Sequence, residues 1–207
     1  MDEPSWLRLA RETQAIAQAG LAYGRNEYDL DRYRKLRALA AEMMALGSAA
    51  DLRAVENLFA QEAGYPTPKV AVRGAVFRDN RILMVREEAD GKWAPPGGWA
   101  DVNESAAECL VREIKEESGY DVRVVKLAAV LDRHKHMRTP VSPHYVYVLV
   151  FICELTGGSP RTSFETTAVD FFAEDQLPEL STIRMPQKWV ELTFDHHRDP
   201  GLPTVFD

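Results

Sequence analysis

The stretch GGWADVNESAAECLVREIKEESGY, Gly97 to Tyr120, decides the reading of this chain. A glycine pair opens it, and Glu104, Arg112, Glu113, Glu116 and Glu117 follow before Gly119. The pattern predicts a helix over 105–118, with Ser105 as N-cap and Gly119 as the left-handed stop. Ala107, Leu110 and Ile114 recur at spacings of three and four, which gives one apolar stripe. Glu113, Glu116 and Glu117 also stand at such spacings and share a helix face. Like charges so placed destabilise an isolated helix, and a solvated acidic face is the bland reading. The glycine pair argues for more, because it lets bare backbone approach the same helix. Three carboxylates with the Gly98 carbonyl make an all-oxygen donor set, suited to Mg²⁺ or Mn²⁺ rather than zinc. Arg112 can pair with a neighbouring carboxylate and fix its rotamer.

These residues fit the pattern G-x5-E-x7-R-E-U-x-E-E-x-G-U, with U a bulky apolar residue, and the stretch resembles the Nudix hydrolase signature. Gly98, Glu104, Arg112, Glu113, Glu116, Glu117 and Gly119 supply the fixed letters. Outside the box, Thr67-Pro68-Lys69-Val70, Lys92 to Val102 and Asp132-Arg133-His134-Lys135-His136 resemble the subgroup with an N-terminal helical domain. That subgroup includes CDP-choline pyrophosphatases and proteins labelled ADP-ribose pyrophosphatase. One departure is Asn103, where a glycine often precedes the box glutamate. The resemblance implies an α/β fold, a Nudix α/β/α sandwich with a mixed sheet, preceded here by a small helical domain. It implies Mg²⁺, with Mn²⁺ as an alternative, held by Gly98, Glu113, Glu116 and Glu117. It also implies hydrolysis of a nucleoside diphosphate linked to X. Glu113, oriented by Arg112, and the loop residue Glu165 are the candidate general bases. Glu104 would support the metal loop.

Composition bounds the partners. The 207 residues carry 25 Lys+Arg against 32 Asp+Glu, a net of −7, with 45% apolar residues. That balance disfavours nucleic acid as a partner, and an acidic protein acting on the small-molecule diphosphate that the resemblance implies would need metal ions to bridge like charges. Two cysteines, Cys109 and Cys153, make no disulfide framework, and reduced thiols suit a cytoplasmic protein. Charge interrupts residues 1–20, so no secretory leader is expected, and no apolar run suits a bilayer span.

Residues 1–66 read as a three-helix domain. The first helix runs from Ser5 to about Ala19 with Gly20 and Gly24 at its exit. The second runs from about Asp29 to Leu46, stopped by Gly47. The third starts near Ser48, with Asp51 as capping partner. So few residues make a marginal core, and the expected remedy is a homodimer. Tyr65-Pro66-Thr67-Pro68 is a stiff linker, and the hydrolase domain is assigned to 67–207. Strands are expected at 70–77, 82–85, 122–131, 145–155 and 168–172, with a closing helix at 187–197.

Further candidates lie outside the box. Trp93 and Trp99 flank the glycine pair and offer faces for a base or a quaternary ammonium. His134 and His136 at a strand end offer contacts to phosphate or base. His144 reads as structural, and Asp195-His196-His197 lacks partner acids at metal-ligand spacing. Two other functions fit less well. An RNA-directed pyrophosphohydrolase wants a basic groove, and a non-catalytic nucleotide-binding regulator has no need of four box acids.

Overall fold

A computed structural model describes residues 4–137 and 142–207. The chain forms two compact units. One holds the N-terminal helices up to Pro68 together with 142–145, and the other holds Lys69–Met137 and Val146–Asp207.

In the first unit, α1 (Ser5–Tyr23), α2 (Glu27–Ser48) and α3 (Leu52–Gln61) bury Leu7, Ala10, Ala40, Ala41, Met44, Val55 and Phe59. Asn26 caps α2 by accepting the amides of Tyr28 and Asp29, and Asp51 caps α3 through Ala54 N. The expected boundaries therefore shift. Gly20 lies inside α1, Gly47 belongs to the last turn of α2 rather than stopping it, and Ser48 closes α2 rather than opening α3. Packing explains the glycines. A Cβ on Gly20 would sit 2.4 Å from the Tyr33 ring, and one on Gly47 would sit 2.1 Å from the Trp6 ring. They are notches for aromatic rings on neighbouring helices. Segment 142–145 joins this unit, which the sequence did not foretell. Both Arg11 Nε and Nη2 donate to the Ser142 carbonyl, Nη2 at 2.7 Å, and the guanidinium lies over the Tyr145 ring.

In the second unit, β1 (Lys69–Arg78) and β2 (Arg81–Glu87) form a hairpin. Its turn residues Asp79 and Asn80 both have positive φ, 52° and 57°, as a two-residue loop of primed type requires. The remaining strands are β3 (Trp93–Ala94), β4 (Tyr120–Asp132), β5 (Val146–Gly158), β6 (Thr166–Phe172) and β7 (Val205–Phe206). The sheet order is β3-β2-β1-β5-β4-β7, with β6 on β2. β1 runs parallel to β5, while β4 runs antiparallel to β5, so the sheet is mixed.

The helices here are α4 (Ala106–Ser118), α5 (Arg133–His136) and α6 (Gln187–Arg198). Strand alternation divides the core between them. Val72, Val76, Leu83 and Phe151 cluster with Cys109, Leu110 and Ile114 of α4. Ala75, Ile82, Met84 and Val150 cluster with Trp189, Val190 and Phe194 of α6. Two helices thus clasp one mixed sheet, the expected α/β/α sandwich. Gly74 brings α4 close, since a Cβ there would fall 2.6 Å from Ile114 Cδ1. Both cysteines are buried and free. No helix among the described residues is long and apolar enough to cross a membrane.

Candidate active site

Helix α4 has the ends its sequence dictates. Ser105 Oγ accepts the Glu108 amide, and Glu108 Oε2 accepts the Ser105 amide at 2.9 Å, a reciprocal capping box. Gly119 ends the helix at φ 78°. The stripe of Cys109, Leu110 and Ile114 faces the sheet, and the same face buries Glu117 at 5% exposure.

The glycine turn is laid along β1. Val72 N donates to the Gly98 carbonyl at 2.9 Å, Gly74 N to Pro96, and Ala100 N to Val70. Gly97 adopts φ 138°, and a Cβ there would fall 2.2 Å from the Val72 carbonyl oxygen. A Cβ on Gly98 would instead fall 2.9 Å from Glu113 Oε2. Bare peptide is therefore required at the first glycine for the chain path and at the second for the carboxylate. Asn103 takes φ 68°, a left-handed conformation that asparagine tolerates, so the departure from glycine leaves the loop path open.

Side chains then converge from both sides. Glu117 Oε2 accepts the Gly97 amide at 2.8 Å. Arg73, buried in the middle of β1, donates to the Gly97 carbonyl and faces Glu117 and Glu87. Burial lifts the Glu117 carboxyl to about 7, against the opposing pull of Arg73 and the Gly97 amide. Burial also raises Glu113, opposed by Arg112. Arg112 is a hub: it bonds both oxygens of Glu104, reaches Glu113 at 2.9 Å, Glu116 at 3.2 Å and Asp101 at 2.9 Å. Ser163, Phe164 and Glu165 lie just before β6, and Thr166 Oγ1 donates to the Glu117 carbonyl at 2.8 Å, tying that loop to the end of α4.

These groups ring a cavity of about 740 Å³. Gly98, Trp99, Arg112, Glu113, Glu116, Glu117 and Glu165 line it, so most of the site residues expected from sequence meet in one place. Trp93, His134 and His136 do not line it. Trp93 packs edge-on against Phe172. His136 Nε2 lies 2.6 Å from Asp207 Oδ1, with its ring edge-on to Trp189. The His134 amide donates to Asp132 Oδ1. Farther off, His197 stacks on Phe77 and His196 is buried. The cavity lining also includes Arg73, Glu87, Arg133, Phe164 and Arg184, none of which the sequence marks out as a site residue. A charged residue inside the apolar run Val70-Ala71-Val72-Arg73-Gly74-Ala75-Val76 was the available signal for Arg73.

The donor set suits a hard divalent cation in kind. It holds only carboxylate and peptide oxygens, Glu117 and Glu113 are disfavoured as bare anions, and the Gly98 cradle keeps side-chain atoms away from Glu113. The groups are not drawn together as a ligand cluster, however. Among the described residues no three Asp, Glu, His or Cys side chains stand close enough to hold a metal ion. Arg112 bridges Glu113 and Glu116 instead. The Gly98 carbonyl has already accepted the Val72 amide, leaving one lone pair to offer.

Helix-borne carboxylates and a bare glycine turn thus line one cavity. Comparison with known proteins identifies the family of the chain. Residues 67–192 match the NUDIX domain, and residues 4–59 match the "UDP-X-like, N-terminal oligomerisation domain". YjhB of Bacillus subtilis, whose name provisionally assigns it to the ADP-ribose pyrophosphatases, is 47% identical over 205 residues, spanning 99% of this chain and 98% of its own. The crystal structure of a UDP-X diphosphatase aligns over 100% of both chains at 30% identity and a TM-score of 0.64. An ADP-ribose pyrophosphatase from Streptococcus suis, 37% identical, covers 68% of this chain and 100% of its own at a TM-score of 0.63. The chain belongs to the Nudix hydrolases and is a pyrophosphohydrolase, with a UDP-X-like helical domain ahead of its catalytic fold.

Proposed function

We propose that this protein hydrolyses the pyrophosphate bond of a nucleoside diphosphate linked to a second group, with Mg²⁺ as cofactor and Mn²⁺ as an effective substitute. The supporting observation is the meeting of Glu113, Glu116, Glu117 and Gly98 at one cavity that also presents arginines. Glu113, Glu116 and Glu117 would hold the metal with the remaining lone pair of the Gly98 carbonyl. Bound there, a divalent ion neutralises pyrophosphate charge and polarises phosphorus. Arg112, which reaches Glu113 and Glu116, would keep the loop acid Glu104 in place through both its oxygens. Arg73 fixes the Gly97 peptide and offsets the charge of Glu117. Glu165, on the loop anchored by Thr166, and Glu113 are the two candidates to accept the proton of the attacking water. Trp99, 49% exposed at the cavity, is the aromatic surface assigned to the base.

The substrate choice lies among ADP-ribose, CDP-choline and a UDP-linked compound. ADP-ribose is favoured by the name of the 47%-identical relative, which spans nearly the full chain. The helical domain is assigned the oligomerisation role, with a homodimer as the assembly. The test is hydrolysis of ADP-ribose, CDP-choline, UDP-glucose and a short 5′-triphosphate RNA, each with Mg²⁺, with Mn²⁺ and with a chelator. Nucleoside monophosphate released from at least one diphosphate compound, abolished by the chelator, is the expected result. Release from RNA alone overturns the reading.

A further inference from the structure

Four arginines line the cavity: Arg73, Arg112, Arg133 and Arg184. Three have partners. Arg73 donates to the Gly97 carbonyl, and Arg112 binds four carboxylates. Arg184 Nε lies 2.8 Å from Oε1 of Glu87, a carboxylate only 3% exposed. Arg133 differs. It is half-buried on the one-turn helix α5, and among the described residues its side chain makes no hydrogen bond or ion pair. Burial depresses Arg133, and the like charge of Arg184, which lines the same cavity, adds to it. A guanidinium without a partner beside a second guanidinium is unfavourable in a partly desolvated cavity unless an anion comes between them.

Phosphoryl oxygens suit two such cations in charge, and planar guanidinium forks bind them in bidentate fashion. We propose that Arg133 and Arg184 form an anion seat for the phosphoryl oxygens of the substrate's diphosphate, with Arg184 preset by Glu87 and Arg133 held open for ligand. The proposal rests on the diphosphate-substrate reading above and adds the residues that recognise that group from the protein side. Glu87 acts as a positioning residue, since it touches Arg184. The turn that carries Arg133 is itself pinned, at its far end, by the contact of His136 with Asp207.

The test uses the intact protein with Mg²⁺ and the non-hydrolysable analogue α,β-methylene-ADP, its affinity measured by calorimetry. Arg133→Ala should weaken binding at least about tenfold, the scale of losing a charge-assisted hydrogen-bonded contact. Arg133→Lys should fall between, keeping charge without the fork. KM for the substrate turned over should rise by the same factor, with kcat changed less than about threefold. Arg184→Ala strands buried Glu87 and can fail to fold, so the double variant Arg184→Ala/Glu87→Gln carries that arm. Methylenediphosphonate, which has no base, serves as a second probe and should show the same dependence on Arg133. A folded Arg133→Ala protein that binds both probes within tenfold of wild type overturns the seat, as does a wild type that binds neither. Wild-type binding that depends on Arg133, with no diphosphate substrate hydrolysed, would keep the seat and remove the proposed function. Hydrolysis that is indifferent to Arg133 would do the reverse.

Discussion

Glu117 Oε2 accepts the Gly97 amide across 2.8 Å, so the last turn of α4 holds the glycine turn by a carboxylate that is itself almost wholly buried. Burial lifts this carboxyl from its ordinary 4.5 to about 7. The unfolded chain releases the proton near 4.5 while the folded chain retains it to about 7, so stability is greatest below 4.5 and falls as pH rises through that interval. Glu113 and Glu87, also raised by burial, add slope of the same sign. Glu117→Gln keeps a carbonyl for the Gly97 amide and removes the charge. In a chelator, thermal melts across this pH range should show the variant gaining on wild type as pH rises, by on the order of 3 kcal/mol at most. Parallel curves would show that Glu117 does not titrate in this window.

The two glycines should fail differently. At Gly97 a Cβ meets the Val72 carbonyl oxygen, which is backbone and has nowhere to move. At Gly98 it meets Glu113 Oε2, the end of a side chain that can swing. Gly97→Ala should therefore destabilise the fold by a few kcal/mol, the scale of backbone strain at a positive-φ site. Gly98→Ala should melt close to wild type while losing at least about tenfold in activity, because the displaced carboxylate is one proposed to bind metal. Equal melting temperatures for both variants would contradict this division.

Arg112 Nη1 reaches both Glu113 and Glu116, while Nε and Nη2 hold Glu104. Arg112→Ala leaves these acids to repel one another without an organiser. Outer partners of metal-binding groups typically account for 10–100-fold in affinity or activity, and a loss of about that size in kcat/KM is expected here. Arg112→Lys should recover only part of it, since one ammonium cannot span three carboxylates. Full activity in the alanine variant would assign Arg112 to stability alone.

The parts of this molecule that could be read from sequence are those whose cause is local. Ser105 and Gly119 specify the ends of α4, where the structure finds a side-chain cap and a left-handed stop. The acids of α4 were legible because helical spacing alone places them together. What failed depended on distant partners. Gly20 and Gly47 read as helix stops, but their reason is a ring on another helix. The pair Val205–Phe206 is too short to signal a strand, yet it pairs in parallel with Ala129–Val130. Arg133 and Arg184 are 51 positions apart, and only folding brings them to one cavity. His134 and His136 were chosen for their chemistry, whereas the turn of α5 presents the neighbouring Arg133 to the cavity instead.

The helical unit leaves heptad-spaced apolar side chains exposed on α1 and on α2. Leu9, Ile16 and Tyr23 recur every seven residues along α1, at 42%, 59% and 66% exposure, and Leu39 and Leu46 repeat the spacing on α2 at 53% and 86%. Heptad-spaced apolar positions are how a helix seats against another helix. The matched description of this domain is an oligomerisation domain, which agrees with those exposed side chains. In a twofold dimer each substitution is felt twice, because the same patch serves both subunits. Burying one such side chain contributes roughly 1.5 kcal/mol or more, so Ile16→Asp should raise the dimer dissociation constant by about 100-fold or more. Analytical ultracentrifugation at micromolar concentration should find wild type as a dimer and Ile16→Asp as a monomer. Glu191→Ala on the exposed side of α6 should leave the dimer intact as a control. Wild type sedimenting as a monomer at that concentration would show that these exposed side chains serve some other end.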